Sequence, residues 1–400
     1  MPLNLTVKSR AMHRLRVAYV CNDISGLLHF REPVILAMRS LGVECWAIVP
    51  MRDGVFGSLR ESLDRYRKAG VHICVWGINR SGVNPFREIA SFLKLVKLYR
   101  KIKPNIVHHV TPKPVLYGGI AARFVPSVRA VNAISGLGYS FGKDSSGART
   151  FVRFISSLMY KVALGSWRSY AIFQNPIDRD TLASQGSLLL ERSELVHGSG
   201  VDPSFWKGEE GYSLGPIVII ACRMLKDKGV FEAIEAAKIL KKRGVEIDLR
   251  FAGMPDAGNP NSITADQLNA WQKQGLITWL GAVRDMRSCF RSARIACLPS
   301  DYPEGVPRAL IEAASCGLPL VSTSTPGCRD ICVDGITGIQ VPPRDPLELA
   351  NALEKLLSNP SLCRTLGWNA RQLVLQRFSI NSVVAGHLRL YGRALRARPD

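Results

Sequence analysis

Short β-rich apolar runs alternate with helical stretches along this chain, and the alternation occurs twice. In the first half the runs are LRVAYV (15–20), VECWAIV (43–49), VHICVW (71–76), NIVHHV (105–110), VRAVNAI (128–134) and SYAIFQ (169–174). Runs that are apolar at nearly every position suit strands covered on both faces, and the helical stretches between them are the crossovers that parallel strands require. After GSGVDPSFWKGEEGYSLG (198–215) the pattern restarts with PIVIIACR, VEIDLRFAG, LITWLG, RIACLP and LPLVST. The expected fold is therefore α/β with two doubly wound domains, 1–200 and 201–376, joined by a linker around 202–215. A helical segment at about 377–400 is expected to pack back on the first domain. Ligands of such sheets bind beyond the carboxyl ends of the strands, so the cleft is expected between the domains.

With 400 residues, 46% of them hydrophobic, the chain has enough material for two cores. Its ten cysteines form no CxxC pair and its seven histidines no HxxxH pair. A structural zinc or a disulfide framework is thus not expected, and a reducing compartment fits. The amino-terminal stretch before the first strand has no apolar core of signal-peptide length, and no apolar run approaches the roughly 18 residues of a membrane span. A soluble or peripheral protein is the expectation.

Charge is unevenly shared. Residues 1–200 carry 28 Lys and Arg against 12 Asp and Glu, or +16, out of +21 for the whole chain. An excess of that size calls for an anionic partner: nucleic acid, phospholipid or a pyrophosphate-linked substrate. A solvated basic surface is the alternative.

The stretch DYPEGVPRALIEAASCGLPLV (301–321) carries the chemistry. Pro307 suits the first turn of a helix, having no amide proton to leave unsatisfied, and Gly317 followed by Pro319 ends it. Glu304 then lies in the preceding loop and Glu312 inside the helix, both able to face one cleft. Amides of Gly305, Val306 and Arg308, at the positive end of the helix, point where a diphosphate could rest. A nucleotide sugar has the matching shape, with phosphates in the middle and hydroxyls at either end. A turn glutamate and a solvated helix glutamate are the competing reading.

The run EGVPRALIEAASCGLPLVSTSTPGCRDICVDGITGIQVPPRDPLELANAL resembles the donor-binding half of family-four glycosyltransferases, which pair two Rossmann-like domains in the GT-B fold and bear an E-x7-E signature. The segment IIACRMLKDKGV agrees, since it leaves a strand, places Arg223 and Lys228 in a turn and opens a helix at Gly229. The resemblance implies that these two cations hold the diphosphate leaving group, doing the work of a metal, so that no metal or other cofactor is needed. It further implies that Glu304 orients the donor sugar, that Glu312 binds the ribose hydroxyls, and that Gly253, Gly305, Val306 and Pro307 line the donor site.

IVHHVTPKPVLYGGIAARF (106–124) and AVNAISGLGYSF (130–141) resemble a bacterial branch acting on undecaprenyl-pyrophosphate-linked sugars. On that resemblance His108 ends a strand facing the cleft and contacts the donor sugar, with His109 on the opposite face. Gly26, placed before a helix beginning near Arg31, Lys113 in TPKP and Gly136 would meet the acceptor. Lys113 as an exposed loop lysine is the alternative.

Two segments mimic other chemistries. DRD (178–180) has the pattern of a metal-binding DxD, yet QNPIDRD suits a helix start with acids in its first turn. SGLGYSF and HGSGVD lack the strand, turn and helix setting of a dinucleotide fingerprint, which disfavours an oxidoreductase. REIASFLKLVKLYRKIKP (87–104) and RTFVRFISSLMYKVALGSWRS (149–169) are amphipathic and basic. Each can lie on anionic lipid or serve as an outer helix of the sheet.

The combined expectation is a metal-independent, retaining transferase that moves a sugar, an N-acetylhexosamine or a relative, from a UDP-sugar to a polyprenyl-pyrophosphate-linked saccharide. Its partners are then the UDP-sugar, the lipid-linked acceptor and an anionic membrane surface, with no nucleic acid. The rivals are a UDP-sugar epimerase of the same fold and a non-catalytic anion- or nucleic-acid-binding protein; the absence of an aromatic and basic stacking stripe weighs against the last.

Overall fold

The computed structural model describes residues 15–50, 59–78, 85–137, 147–208, 215–256, 258–302 and 305–397. The chain divides into two units: unit 1 comprises Met1–Ser199 with Ile380–Asp400, and unit 2 comprises Gly200–Ser379.

The strands of unit 1 are β1 (Arg16–Val20), β2 (Glu44–Pro50), β3 (His72–Trp76), β4 (Ile106–His109), β5 (Arg129–Ile134), β6 (Ser169–Phe173) and β7 (Ser193–Leu195). They lie in the order β3-β2-β1-β4-β5-β6-β7, and every pairing is parallel. Helices α1 (Ile24–Ser40), α2 (Leu59–Lys68), α3 (Pro85–Ile102), α4 (Gly119–Arg123), α5 (Gly147–Leu164) and α6 (Pro176–Ser184) make the connections. The strand order reverses between β1 and β4, so crossovers run to both sides from this point.

Helix α1 corrects one expectation. It starts at Ile24 rather than near Arg31, so Gly26 lies inside its first turn and is buried. The reason is its apolar stripe: Ile24, Leu27, Val34, Ile35 and Met38 recur at helical spacing and are all buried against the sheet. The last helix of unit 1, Ile380–Arg396, belongs to the same core, with Val383, Val384, Leu390, Tyr391 and Ala394 beside β1 and β4 side chains.

The chain thus passes between the units at 199–200 and again at 379–380. Residues 202–208, expected within the linker around 202–215, belong to unit 2 together with Val201. Val201 donates its amide to Phe378 O at 3.0 Å, and Trp206 is buried against Phe290. A large aromatic outweighs the Gly and Ser around it.

The strands of unit 2 are β8 (Ile217–Ala221), β9 (Asp248–Ala252), β10 (Thr278–Gly281), β11 (Ile295–Leu298), β12 (Leu320–Thr323) and β13 (Gly338–Val341), ordered β10-β9-β8-β11-β12-β13 and all parallel. Its helices are α7 (Val230–Lys242), α8 (Ala265–Lys273), α9 (Met286–Ser292), α10 (Arg308–Ser315), α11 (Cys328–Ile331), α12 (Pro346–Leu357) and α13 (Pro360–Leu373). Here the order reverses between β8 and β11. Two aliphatic clusters cover the two faces of this sheet.

Two strands lack a matching apolar run, β7 and β13. The first has three residues and the second reads GIQV, both too short for an alternation to register.

Candidate functional site

In unit 2 the charged residues gather where the strand order reverses. Strand β8 ends at Ala221, and the chain turns through Arg223 to a single 3₁₀ turn at Lys226–Lys228. Gly229 follows with φ +74°, a left-handed conformation that side-chain-bearing residues rarely adopt. A Cβ there would also lie 2.1 Å from Pro299 O, so only glycine lets this turn touch the chain leaving β11. The contact is tied down by hydrogen bonds: Asp301 N and Ser300 Oγ both donate to Asp227 O, at 3.2 and 3.1 Å. The turn carrying Lys228 and residues 299–301 beyond β11 therefore form one rim.

Strand β9 completes the rim. Gly253 has φ +144°, and a Cβ there would stand 1.8 Å from Cys222 O, so the ends of β8 and β9 meet backbone to backbone. Just beyond, Asp256 is held by its own amide, which donates to Ser262 Oγ at 2.9 Å, and accepts from Arg223 Nη1 at 2.6 Å. The Arg223 side chain is 46% exposed and that of Asp256 11%. The arginine is thus oriented by a buried carboxylate while its guanidinium stays accessible.

Helix α10 follows β11, the partner of β8, where its punctuation predicts a helix. Pro307 is the N-cap residue, the helix runs Arg308–Ser315, and Gly317 follows at φ +86°. Leu310, Ile311, Ala313 and Ala314 are buried and anchor the helix. Gly305, Val306 and Pro307 are buried at its positive end. The first amides of any α-helix have no carbonyl within the helix to bond, so this end supplies donors for an anion.

Glu312 is far from a solvated face residue: its side chain is 13% exposed and its Oε1 accepts from Arg308 Nε at 2.7 Å. Burial pushes its carboxyl above the usual range, against the opposing pull of Arg308. Asp227 is also raised by burial, with Lys228 pulling the other way and Asp301 adding to the rise. Glu304 lies outside the described residues.

The structure thus brings Lys228, Gly229 and residues 299–301 together in unit 2, and it buries Gly305, Val306 and Pro307 at the start of α10. Arg223 leaves the adjacent strand end, and Glu312 sits inside the helix that follows. Asp256 and the Arg308 side chain were not foreseen. No local spacing marks Asp256, which meets Arg223 through the parallel pairing of β8 with β9; the i, i+4 interval from Arg308 to Glu312 was a legible signal.

Unit 1 treats its expected site residues differently. His108 and His109 do point to opposite faces of β4, but neither faces open space, since both are fully buried. His108 lies under the C-terminal helix, its Nδ1 2.8 Å from Tyr391 Oη and its ring stacked on His387 at 5.4 Å. His109 is 2.8 Å from Tyr99 Oη through Nε2 and 2.7 Å from Asn132 Oδ1 through Nδ1. Burial holds His108 well below the ordinary imidazole range, and it lowers His109 to about 4 and His387 to about 3. The placement of His108 on a cleft is therefore corrected: β4 is a central strand covered on both sides, and a histidine there is a core residue.

Lys113 is likewise no exposed loop lysine. It precedes the π-helical turn Pro114–Gly118, and its Nζ meets Glu88 Oε1 at 3.0 Å with both side chains mostly covered. Gly136 lies two residues beyond β5, with φ +135°. The ends of β1 and β4 are joined where the order reverses, Thr111 Oγ1 donating to Asn22 Oδ1 at 2.6 Å.

The DRD carboxylates serve helix α6. Asn175 caps it by accepting from Asp178 N at 2.8 Å and donates through Nδ2 to Asp178 Oδ2, while Asp180 pairs with Arg179 at 2.9 Å.

Comparison with known proteins adds to this geometry. The family profile described as Glycosyl transferases group 1 matches residues 208–373, and the one described as Glycosyl transferase 4-like matches residues 55–172. The N,N'-diacetylbacillosaminyl-diphospho-undecaprenol alpha-1,3-N-acetylgalactosaminyltransferase of Campylobacter jejuni is 26% identical over 96% of this chain and 100% of its own length. The capsular polysaccharide biosynthesis glycosyltransferase CapM of Staphylococcus aureus is 29% identical over 74% of this chain and 78% of its own. Among solved structures, a glycosyltransferase of Rickettsia africae superposes with a TM-score of 0.75 at 18% identity, covering 96% of this chain and 99% of its own. Anabaena HepE, solved with UDP and glucose, gives 0.74 at 16% identity over 95% and 100%.

Proposed function

We propose that this chain, a glycosyltransferase of the GT-B fold matched by the group 1 and the type-4-like family profiles, serves polysaccharide biosynthesis by moving a sugar from a UDP-sugar to a saccharide carried on a polyprenyl pyrophosphate. The observation that carries the donor half is in unit 2, where Lys228 and the exposed guanidinium of Arg223 follow β8 and the amide end of α10 follows β11, the two strands between which the order reverses. HepE was solved with UDP and glucose, which supports a uridine diphosphate as the matching ligand. The Campylobacter relative is named for an acceptor on diphospho-undecaprenol and for N-acetylgalactosamine, which supports the acceptor class and an N-acetylhexosamine donor.

In this reading the reaction is carried by fixed charge. The sugar leaves UDP as its anomeric bond breaks, and negative charge builds on the β-phosphate. Arg223 and Lys228, with the amides of α10, stabilise that charge where a divalent cation would otherwise be required. Glu312 accepts hydroxyl protons of the ribose, and Glu304 orients the donor sugar. The departing phosphate takes the acceptor proton on the face from which the acceptor attacks, so that anomeric configuration is retained. His108 has no role here, because its ring is sealed in the core of unit 1.

The test offers a panel of UDP-sugars to the purified protein with a polyprenyl-pyrophosphate-linked saccharide and follows UDP release and the product's anomeric configuration. Donor-dependent, acceptor-dependent UDP release with retention is the expected result. UDP-sugar conversion without acceptor points to an epimerase and overturns the reading, as does indifference to every uridine-linked sugar.

Among the described residues no helix is long and apolar enough to cross a membrane. A lipid-linked acceptor would then be met by a protein resting on the bilayer surface, at the cytoplasmic face where nucleotide sugars are made.

A further inference from the structure

Helix α3 has two apolar stripes, and the sheet uses one of them. Leu95, Val96, Tyr99 and Ile102 are buried against it, whereas Phe86, Ile89 and Leu93 stay on the outside, at 82, 59 and 53% exposure. Spaced by three and four residues, these three share a face. Helix α5 repeats the arrangement: Leu164 and Tyr160 are buried, while Phe154, Ile155, Leu158 and Val162 are exposed.

The two outer stripes are joined at the end of α4. Phe124 is itself exposed and meets the ring of Phe92 edge-on at 5.9 Å, and its neighbour Arg123 donates to Val162 O at 2.8 Å. Scattered exposed apolar residues need no explanation, but exposed apolar side chains gathered on three neighbouring helices do.

Charge selects what covers these side chains. Within α3, α4 and α5 the sequence has nine Lys and Arg against one acid, Glu88. That acid is already paired with Lys113. Lys94, Lys97, Arg100, Lys101, Arg123 and Lys161 are exposed beside the apolar side chains. A second copy of this chain would set like charges against each other. A bilayer with anionic headgroups satisfies both halves of the surface, apolar side chains entering the acyl boundary and long cationic ones reaching phosphate.

We propose that the outer face of α3, α4 and α5 is the surface by which unit 1 docks on an anionic lipid bilayer. This rests on the lipid-linked acceptor proposed above, and it goes further in naming the face, the residues and the lipid charge.

The experiment is co-sedimentation of the full chain with phosphatidylcholine vesicles, with and without phosphatidylglycerol, for the wild type and for Leu93→Glu combined with Leu158→Glu. Both positions are about half exposed, so the variant should keep the wild-type melting temperature and its stabilisation by UDP. Expected is binding to anionic vesicles that weakens with salt, and a loss of roughly tenfold or more in the double variant. Equal binding by a folded double variant overturns the proposal, as does failure of the wild type to bind anionic vesicles at low salt. A wild-type dimer in solution that the double substitution dissolves also overturns it, in favour of a second copy. Vesicle binding without any UDP-sugar use leaves the docking surface standing and removes the donor reading; UDP binding without vesicle binding does the reverse.

Discussion

The two units are built alike and put their polar residues to opposite uses. All seven histidines of the chain fall outside residues 200–379, and three of them, His108, His109 and His387, are buried in the core of unit 1. Arg31 and Asn132 are buried with them. The faces of the unit 2 sheet are covered by aliphatic clusters, and its charged residues Arg223, Asp256, Lys228 and Asp301 gather at the strand ends. One sheet holds histidines inside as structure; the other gathers charged groups at its strand ends as a candidate site. Parallel strands with covered faces permit both, because the side chains on a central strand are committed to the core whatever their chemistry.

Acid should break the symmetry first. The folded-state pKa values of His109 and His387 are lowered to about 4 and about 3 by burial, against an unfolded value near 6.5. The stability that their neutral forms confer is complete above the unfolded value and is lost as pH falls from there through the folded values. Tyr99 and Asn132 surround His109, while Val383 O, Tyr391, His108 and Arg31 surround His387, and none is an acid that would offset the charge. Near pH 5 these two histidines alone should have cost unit 1 roughly 4 kcal/mol relative to neutral pH. Hydrogen exchange, corrected for intrinsic rates, should show protection falling in unit 1 and holding in unit 2. Equal loss in both units would erase the distinction.

Gly229→Ala is the corresponding strike at unit 2. It forces a left-handed φ on alanine and a Cβ onto Pro299 O, and should cost about 3 kcal/mol by urea unfolding, with β8, α7 and the 299–301 loop losing exchange protection. An alanine variant as stable as the wild type would mean that the rim is looser than its backbone contact implies.

Arg223→Ala addresses the site itself. The side chain is nearly half exposed, so stability should hold while transfer falls roughly a hundredfold. His108→Gln, its counterpart in unit 1, should lower the melting temperature and leave turnover per folded molecule unchanged. Near-normal turnover in the first variant, or a hundredfold loss in a folded second, would exchange the roles given to the two units.

The smallest effect is the sharpest. Asp256 holds Arg223 and competes with any diphosphate for it, so Asp256→Asn should raise UDP affinity by about threefold to fivefold, the modest scale of a partly exposed ion pair. Isothermal titration with UDP measures it. Weaker UDP binding would instead assign Asp256 a positioning role.

Legibility in the sequence follows the range of the cause. The alternation of apolar runs located β1–β6 and β8–β12, and the pair Pro307 and Gly317 bracketed α10, because those signals act within a few residues. Helix α1 starts at Ile24, where its apolar spacing begins, and not after the glycine of SGLLHF. Spacing marks α3 as amphipathic but does not say which of its apolar residues the sheet will cover.

What this chain's residues decided alone is local: strands where apolar runs are short and continuous, turns where glycine must take a left-handed φ, a helix where proline opens and glycine closes. What only the tertiary structure decided is company at a distance. His108 meets Tyr391 across 283 residues and Arg223 meets Asp256 across 33. Those partners are chosen by strand order and by which helix covers which face. A histidine with a strand on either side and a helix above it loses its access to solvent for reasons that none of its sequence neighbours encodes.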